Sequence, residues 1–196
     1  MPFESKGKSI IFSAPSGAGK TTIVQHLLEN SGLALGFSVS ATTRNPRGNE
    51  KDGIDYHFKS IDEFRACIAS NELVEWEEVY PNKYYGTLKT ELERFWAEGK
   101  TVLFDVDVVG GMELRKVLGP SALAIFVQPP SMDVLRSRLE HRGTESKERI
   151  EERMNKAKWE WNQNVNFDYI LVNDVLETAC KMATDIVRKH SESGSI

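Results

Sequence analysis

The sequence predicts an α/β fold in which a parallel sheet is flanked by helices. Three observations carry the prediction. Short apolar runs rich in β-branched residues recur at Ser9–Ser13, Thr101–Val106, Ala122–Val127 and Tyr169–Val172. Helical patterns lie between and after them, at about Lys20–Glu29, Val109–Leu118, Met132–Glu140 and Val175–Lys189. A glycine-rich turn joins the first run to the first helix. Strands that are apolar on both faces need cover on both sides, and helices alternating with them supply it.

Along the chain, the first strand, Lys8-Ser-Ile-Ile-Phe-Ser13, runs into Ala14-Pro-Ser-Gly-Ala-Gly-Lys-Thr21, which opens a helix. This is a P-loop in its expected setting. Phosphate binding needs several backbone N–H groups turned inward, and Gly17 and Gly19 allow backbone angles and a close approach that a side chain would block. The helix N-terminus adds partial positive charge. Lys20 would reach the β- and γ-phosphates of a nucleoside triphosphate, and the Thr21 hydroxyl would be a ligand of Mg²⁺. Ala14 stands where the strict pattern has its first glycine; a positive φ there would strain the loop by roughly 1 kcal/mol.

From about Phe37 to Gly86 the rhythm changes to turns, short alternating strands and one helix starting at Ser60-Ile-Asp-Glu63, a capping box. This is a small mixed insertion. It holds Arg44 and Arg47, separated by Asn-Pro, which fixes a loop and could form a clamp on a phosphate. At the end of the apolar run Thr101–Val106 come Asp105 and Asp107, where a second strand would deliver an acid to the magnesium, with strand-end turn residues as the plainer alternative. The region 136–158 carries eight Lys/Arg and five Asp/Glu, a local charge of +3 in a chain of net charge -4. It breaks at His141-Arg-Gly-Thr144, and a second helix is expected from near Ser146. Charge runs on helices are commonly solvated faces, but this one concentrates cations where an anion could be met. Residues 191–196 read as a frayed polar tail.

Composition narrows the function. With 40% hydrophobic and 28% charged residues in 196, the chain is an ordinary globular one with enough length for a sizeable core. An acidic balance of 25 Lys+Arg to 29 Asp+Glu argues against an extended nucleic-acid footprint. No stretch approaches the roughly 20 apolar residues of a membrane span, and the start lacks an apolar signal stretch, so a cytoplasmic protein is expected. Cys67 and Cys180 lie outside any CxxC, and His26, His57, His141 and His190 share no ligand spacing; neither a disulfide framework nor a zinc site has support.

Several spaced motifs in one order are more specific than the P-loop alone. From about Lys8 to Arg188 the chain resembles the guanylate kinases, which move a phosphoryl group from ATP to GMP. The resemblance rests on Ser13-Ala-Pro-Ser-Gly-Ala-Gly-Lys20, Ser40-Ala-Thr-Thr-Arg44 with Pro46-Arg47, Tyr84-Tyr-Gly-Thr87, Asp105-Val-Asp107, Arg138-Leu with Arg142-Gly-Thr144, and Val172-Asn-Asp174. It implies the P-loop nucleoside triphosphate hydrolase fold as a single domain. Its core would be about 1–36, 88–135 and 159–190, with a mixed α/β GMP-binding insertion over 37–87 and a helical lid over 136–158.

The same resemblance implies the site. ATP would lie on Ala14, Pro15, Ser16, Gly17, Ala18, Gly19, Lys20 and Thr21, with Asn173 near its adenine. Arg44, Arg47, Tyr56 and Tyr85 would hold the GMP phosphate, Ser40, Glu75 and Thr87 would read the base, and Asp107 would join the GMP set. Guanine presents donors at N1 and N2 that an ionised Glu75 can accept together, and an acceptor at O6 for a hydroxyl; adenine offers the reverse. Lys20, Arg44, Arg138, Arg142 and Arg153 would stabilise charge during transfer. Mg²⁺, bound by Thr21 and through water by Asp105, is the implied cofactor. ATP and GMP are the implied partners, without nucleic acid or membrane, on a monomer or weak homo-oligomer in purine nucleotide metabolism. Val109 stands where many relatives have Gln. The alternatives are a catalytically silent guanylate-kinase-like interaction domain, opposed by the intact Gly17, Gly19, Lys20 and Thr21, and a kinase for another monophosphate, opposed by Ser40, Glu75 and Thr87.

Overall fold

All four apolar runs become strands of one parallel sheet in the computed structural model, which describes residues 3–141 and 146–193. They are β1 (Ser9–Ser13), β7 (Thr101–Val106), β8 (Ala122–Gln128) and β9 (Tyr169–Val172), joined at one edge by a three-residue strand, β2 (Leu35–Phe37), in the order β2-β7-β1-β8-β9. Strand β1 is central and buried at every position. Its alternation feeds two cores. Ile10 and Phe12 pack with Ile23, Val24 and Leu27 of α1 (Lys20–Asn30) and Ala183 and Val187 of α7 (Leu176–Glu192). Ile11 packs on the other face with Leu92 and Phe95 of α3 (Lys89–Ala97) and Leu114 of α4 (Val108–Leu118). Each of these Ile, Leu, Val and Phe side chains removed from water stabilises the sheet by roughly 1.5–3 kcal/mol.

Two core elements are absent from the sequence reading. Strand β2 is too short to show a period, and Gly36 at its centre is there for contact: a Cβ would come within 2.2 Å of the Phe95 ring. Helix α3 buries only Glu91, Leu92 and Phe95 along an otherwise charged sequence. Helix α7 continues through Glu192, into the segment read as a tail, where Lys8 Nζ donates to the carbonyls of His190 and Ser191.

Residues 41–88 build a second, four-stranded sheet of order β4-β3-β6-β5. Its strands are β3 (Ala41–Thr42), β4 (His57–Phe58), β5 (Leu73–Tyr80) and β6 (Lys83–Leu88). Strands β5 and β6 form an antiparallel hairpin whose turn uses Asn82 at φ 62°. Helix α2 (Ile61–Ala69) has both bonds of the capping box, Glu63 N–H to Ser60 Oγ and Ser60 N–H to the Glu63 carboxylate. Phe64 and Cys67 of α2 pack on Ala41, Leu73 and Tyr84 in a core of their own. Helices α5 (Met132–His141) and α6 (Lys147–Asn162, capped by Ser146) pair through Leu135, Leu139, Ile150, Met154 and Ala157.

Candidate active site

The C-terminal ends of β1, β7 and β9 converge, and the loops that leave them form the site, as the crevice rule for open parallel sheets requires. Residues Ala14–Gly19 turn from β1 into α1. Gly17 and Gly19 adopt φ of 95° and 92°. A Cβ on Gly17 would come within 2.9 Å of Leu139, and one on Gly19 within 2.3 Å of the Asn173 amide, so both glycines are required by angle and by space. Among the described residues the only non-glycine positive φ values belong to Asn71 and Asn82. Ala14 therefore sits in the loop without the strain considered from sequence.

Lys20 forms an ion pair with Asp105, and Thr21 Oγ1 donates to the other oxygen of the same carboxylate at 2.8 Å. Burial lowers the Lys20 ammonium to about 8, against the opposing pull of Asp107 and Glu160. Asp105 is the penultimate residue of β7, whereas Asp107 lies one residue past the strand and caps α4, accepting from Gly110 N–H at 2.9 Å. Its backbone carbonyl accepts from Ser13 Oγ at 3.1 Å, which locks the ends of β1 and β7 together. The plainer alternative, a turn acid, thus describes one of Asp107's two oxygens.

Two cavities meet at this point. One, of about 390 Å³, is lined by residues 14–22 together with Arg153, Lys156 and Glu160; the other, of about 260 Å³, by Ser40, Glu75, Glu77, Tyr85 and Gly86. Tyr56, Asp105, Val106 and Asp107 line both. In the second cavity Thr87 Oγ1 donates to Glu75 Oε1 at 2.7 Å across the β5–β6 ladder. Burial pushes the Glu75 carboxyl up to about 7, opposed by the Thr87 hydroxyl and reinforced by Asp107, Glu77 and Glu113.

Arg44, Tyr56 and Tyr85 are brought together. The Arg44 guanidinium lies 4.6 Å over the Tyr56 ring, and Tyr56 meets Tyr85 edge-on at 6.1 Å. The fork of Arg44 is held by Glu50 through two bonds of 2.6 and 2.7 Å, and Arg47 gives Glu50 its backbone N–H at 2.7 Å. These donors hold the Glu50 carboxyl down at about 2. Glu50 was missed in the sequence; its signal is an acid three residues after the second of two spaced arginines.

Arg153 Nη1 donates to Ser16 Oγ at 2.9 Å and so reaches the phosphate loop. Arg138 instead donates to the carbonyl of Asn173 at 2.9 Å. Arg142 lies outside the described residues. Asn173 is 4% exposed; its Nδ2 donates to Ala18 O at 2.8 Å, while its buried Oδ1 has no hydrogen-bond partner. Lys156 and Glu160 were also missed, although Arg153, Lys156 and Glu160 follow the i, i+3, i+7 spacing of one helical face.

Residues 6–190 match the protein-family model described as guanylate kinase. The chain is 52% identical over 184 residues to a guanylate kinase of Bacteroides fragilis, covering 94% of this chain and 90% of the relative. It is 54% identical over 171 residues to a guanylate kinase of Porphyromonas gingivalis, covering 87% and 91%. Among solved structures, a guanylate kinase from Anaplasma phagocytophilum aligns at a TM-score of 0.74 and 28% identity over 97% of this chain and 89% of that one.

Proposed function

The chain belongs to the guanylate kinase family, and we propose that it is an enzyme transferring the γ-phosphoryl of ATP directly to GMP, giving ADP and GDP. The observation that carries this is the shared wall at Asp105, Val106 and Asp107, with a phosphate loop on one side and a partly buried carboxylate–hydroxyl pair, Glu75 and Thr87, on the other. A donor bound in the first cavity and an acceptor in the second would present their phosphates to each other across that wall. Such positioning is most of what phosphoryl transfer asks of a protein.

In this reading ATP lies along Ala14–Thr21, and the orphaned Asn173 Oδ1 accepts from an adenine amino group. The GMP phosphate is held by Arg44, Arg47, Tyr56 and Tyr85; Ser40, Glu75, Thr87 and Asp107 bind the nucleoside. An ionised Glu75 accepts the N1 and N2 donors of guanine, and a buried acceptor left unpaired by adenine disfavours AMP. The GMP phosphate oxygen attacks in line, while Lys20, Arg153, Arg138 and Arg142 spread the charge of the phosphoryl in flight. The segment 136–158 acts as a lid that excludes water, 37–87 as the GMP-binding part, and 1–36, 88–135 and 159–190 as the core.

The Thr21 hydroxyl and the Asp105 carboxylate, 2.8 Å apart, are hard oxygen donors that fit Mg²⁺. Among the described residues no group of three or more His, Cys, Asp or Glu could hold a metal alone, which suits an ion arriving with the nucleotide's own oxygens. When bound, Mg²⁺ neutralises phosphate charge; Thr21 and Asp105 would hold it, directly and through water. No described helix is long and apolar enough to cross a membrane. A cytoplasmic monomer or weak homo-oligomer in purine nucleotide recycling completes the proposal. A coupled ADP-release assay with GMP, AMP, UMP and CMP tests it: turnover is expected with GMP, and no turnover with GMP overturns it.

A further inference from the structure

Helix α6 turns three charged side chains toward the phosphate cavity, and only Arg153 among them has a role in the reaction as described above. Glu160 is the most buried of the three, with 5% of its side chain exposed. A carboxylate so placed is costly without a cation beside it. Lys156, one turn earlier, brings its Nζ to 3.5 Å from Glu160 Oε1 and to 3.7 Å from Asp107 Oδ2. The second Asp107 oxygen is occupied by Gly110 N–H, so Oδ2 is the one left to face the cavities.

Counting charge around the phosphate cavity shows why this contact matters. Asp105, Asp107 and Glu160 place three carboxylates on the walls of a space meant for a polyanion. Lys20 is committed to Asp105. Lys156 lies within ion-pair distance of both other acids. Glu77, a further acid lining the second cavity, also lies within its field. Asp107 belongs to both cavities, so the same contact ties α6 to the wall where the two substrates meet.

We propose that Lys156 is a positioning residue for phosphoryl transfer: it offsets Asp107 and Glu160 so that phosphates can occupy the wall those acids line, and it fixes α6 against that wall. This rests on the functional reading given above.

The test compares wild type with Lys156→Met, Lys156→Gln, Lys156→Arg and the double variant Lys156→Met/Glu160→Gln, with kcat and KM measured separately for GMP and ATP. Two acids beside the phosphates that have lost their ion-pair partner lower kcat/KM for both substrates about tenfold or more in the two neutral variants, and added salt narrows the deficit. Lys156→Arg keeps activity to within about threefold, since it restores the charge. The double variant recovers most of the loss, because the buried acid is gone. Thermal midpoints fall in Lys156→Met and Lys156→Gln, which leave the buried Glu160 carboxylate without its cation, and return toward wild type in the double variant, so all kinetics are compared well below every midpoint. Unchanged kinetics in Lys156→Met and Lys156→Gln, or an equal loss in the double variant, overturn the inference. An inactive wild type would overturn the functional reading instead. Calorimetry with MgATP then tests Lys156 without turnover: weaker binding in Lys156→Met supports its role, and equal binding refutes it.

Discussion

In the proposed function Glu75 decides whether the second cavity can accept guanine, and its charge state can be set from outside. Its carboxyl is raised from 4.5 to about 7, chiefly because burial penalises the ion. The base requires the ionised form, since a neutral acid cannot accept two N–H donors. Activity toward GMP must therefore fall as pH drops through about 7. One unit below that value about one molecule in eleven is ionised, so kcat/KM for GMP should decline about tenfold between about pH 8 and pH 6. Stability moves in the opposite sense. Between about pH 4.5 and 7 the folded state keeps a proton that the unfolded chain has released, so stability is greatest below the unfolded value and is lost as pH rises through the folded one. At about 1.4 kcal/mol per pKa unit the total is roughly 3 kcal/mol. Glu75→Gln removes both effects. Initial rates at limiting GMP and saturating ATP, with urea unfolding at about pH 5 and pH 8, measure them in wild type and variant. The variant should lose most GMP activity at every pH, lack the acidic limb, and gain stability over wild type only at the higher pH. An acidic limb that persists in Glu75→Gln, or a stability difference that does not change with pH, refutes the assignment.

Further outcomes follow from other contacts. Lys20 has a lowered pKa of about 8, so it loses its charge as pH rises through that value; kcat/KM for ATP should fall above it in the free enzyme, and Lys20→Met should cost at least about a hundredfold in kcat at every pH. Glu50→Gln loosens the Arg44 fork and its bond to the Arg47 backbone, and should raise KM for GMP by about three- to tenfold with kcat nearly unchanged, measured by initial rates. Gly36→Ala drives a Cβ into the Phe95 ring and should cost about 1–3 kcal/mol in urea unfolding without altering either substrate's KM at low temperature.

What was legible in the sequence had a local physical signature. A buried parallel strand must be apolar on both faces, so β1, β7, β8 and β9 announced themselves, and Ser60 and Glu63 marked a helix start because capping needs those residue types at that spacing. Strand β2 has three residues, too few for a period, and exists because β7 offers it a parallel edge. Helix α3 is mostly polar, and only its fold partners reveal that Leu92 and Phe95 face inward. At the site, Lys20 and Thr21 both contact Asp105, and Glu75 contacts Thr87 in the neighbouring cavity. Glu50, Lys156 and Glu160 were overlooked for one reason. Each is a charged residue whose meaning comes from its partner: Glu50 and Glu160 pair within their own segments, as their spacing permits but does not require, whereas the Lys156–Asp107 contact joins distant segments and is a property of the fold.

That pairing bears on how binding energy is used. Lys20 is joined to Asp105, Arg44 to Glu50, and Lys156 to Asp107 and Glu160. The cations are already held in place, so little side-chain entropy remains to be lost when substrates enter. The same acids oppose a bound phosphate, and this repulsion is present in the ground state. At the transition state, charge spreads over the equatorial oxygens, where cations fixed in advance stabilise it without reorganising. A chain of net charge -4 can thus bind two polyanions moderately and the transferring phosphoryl group more tightly, which is the difference that raises kcat.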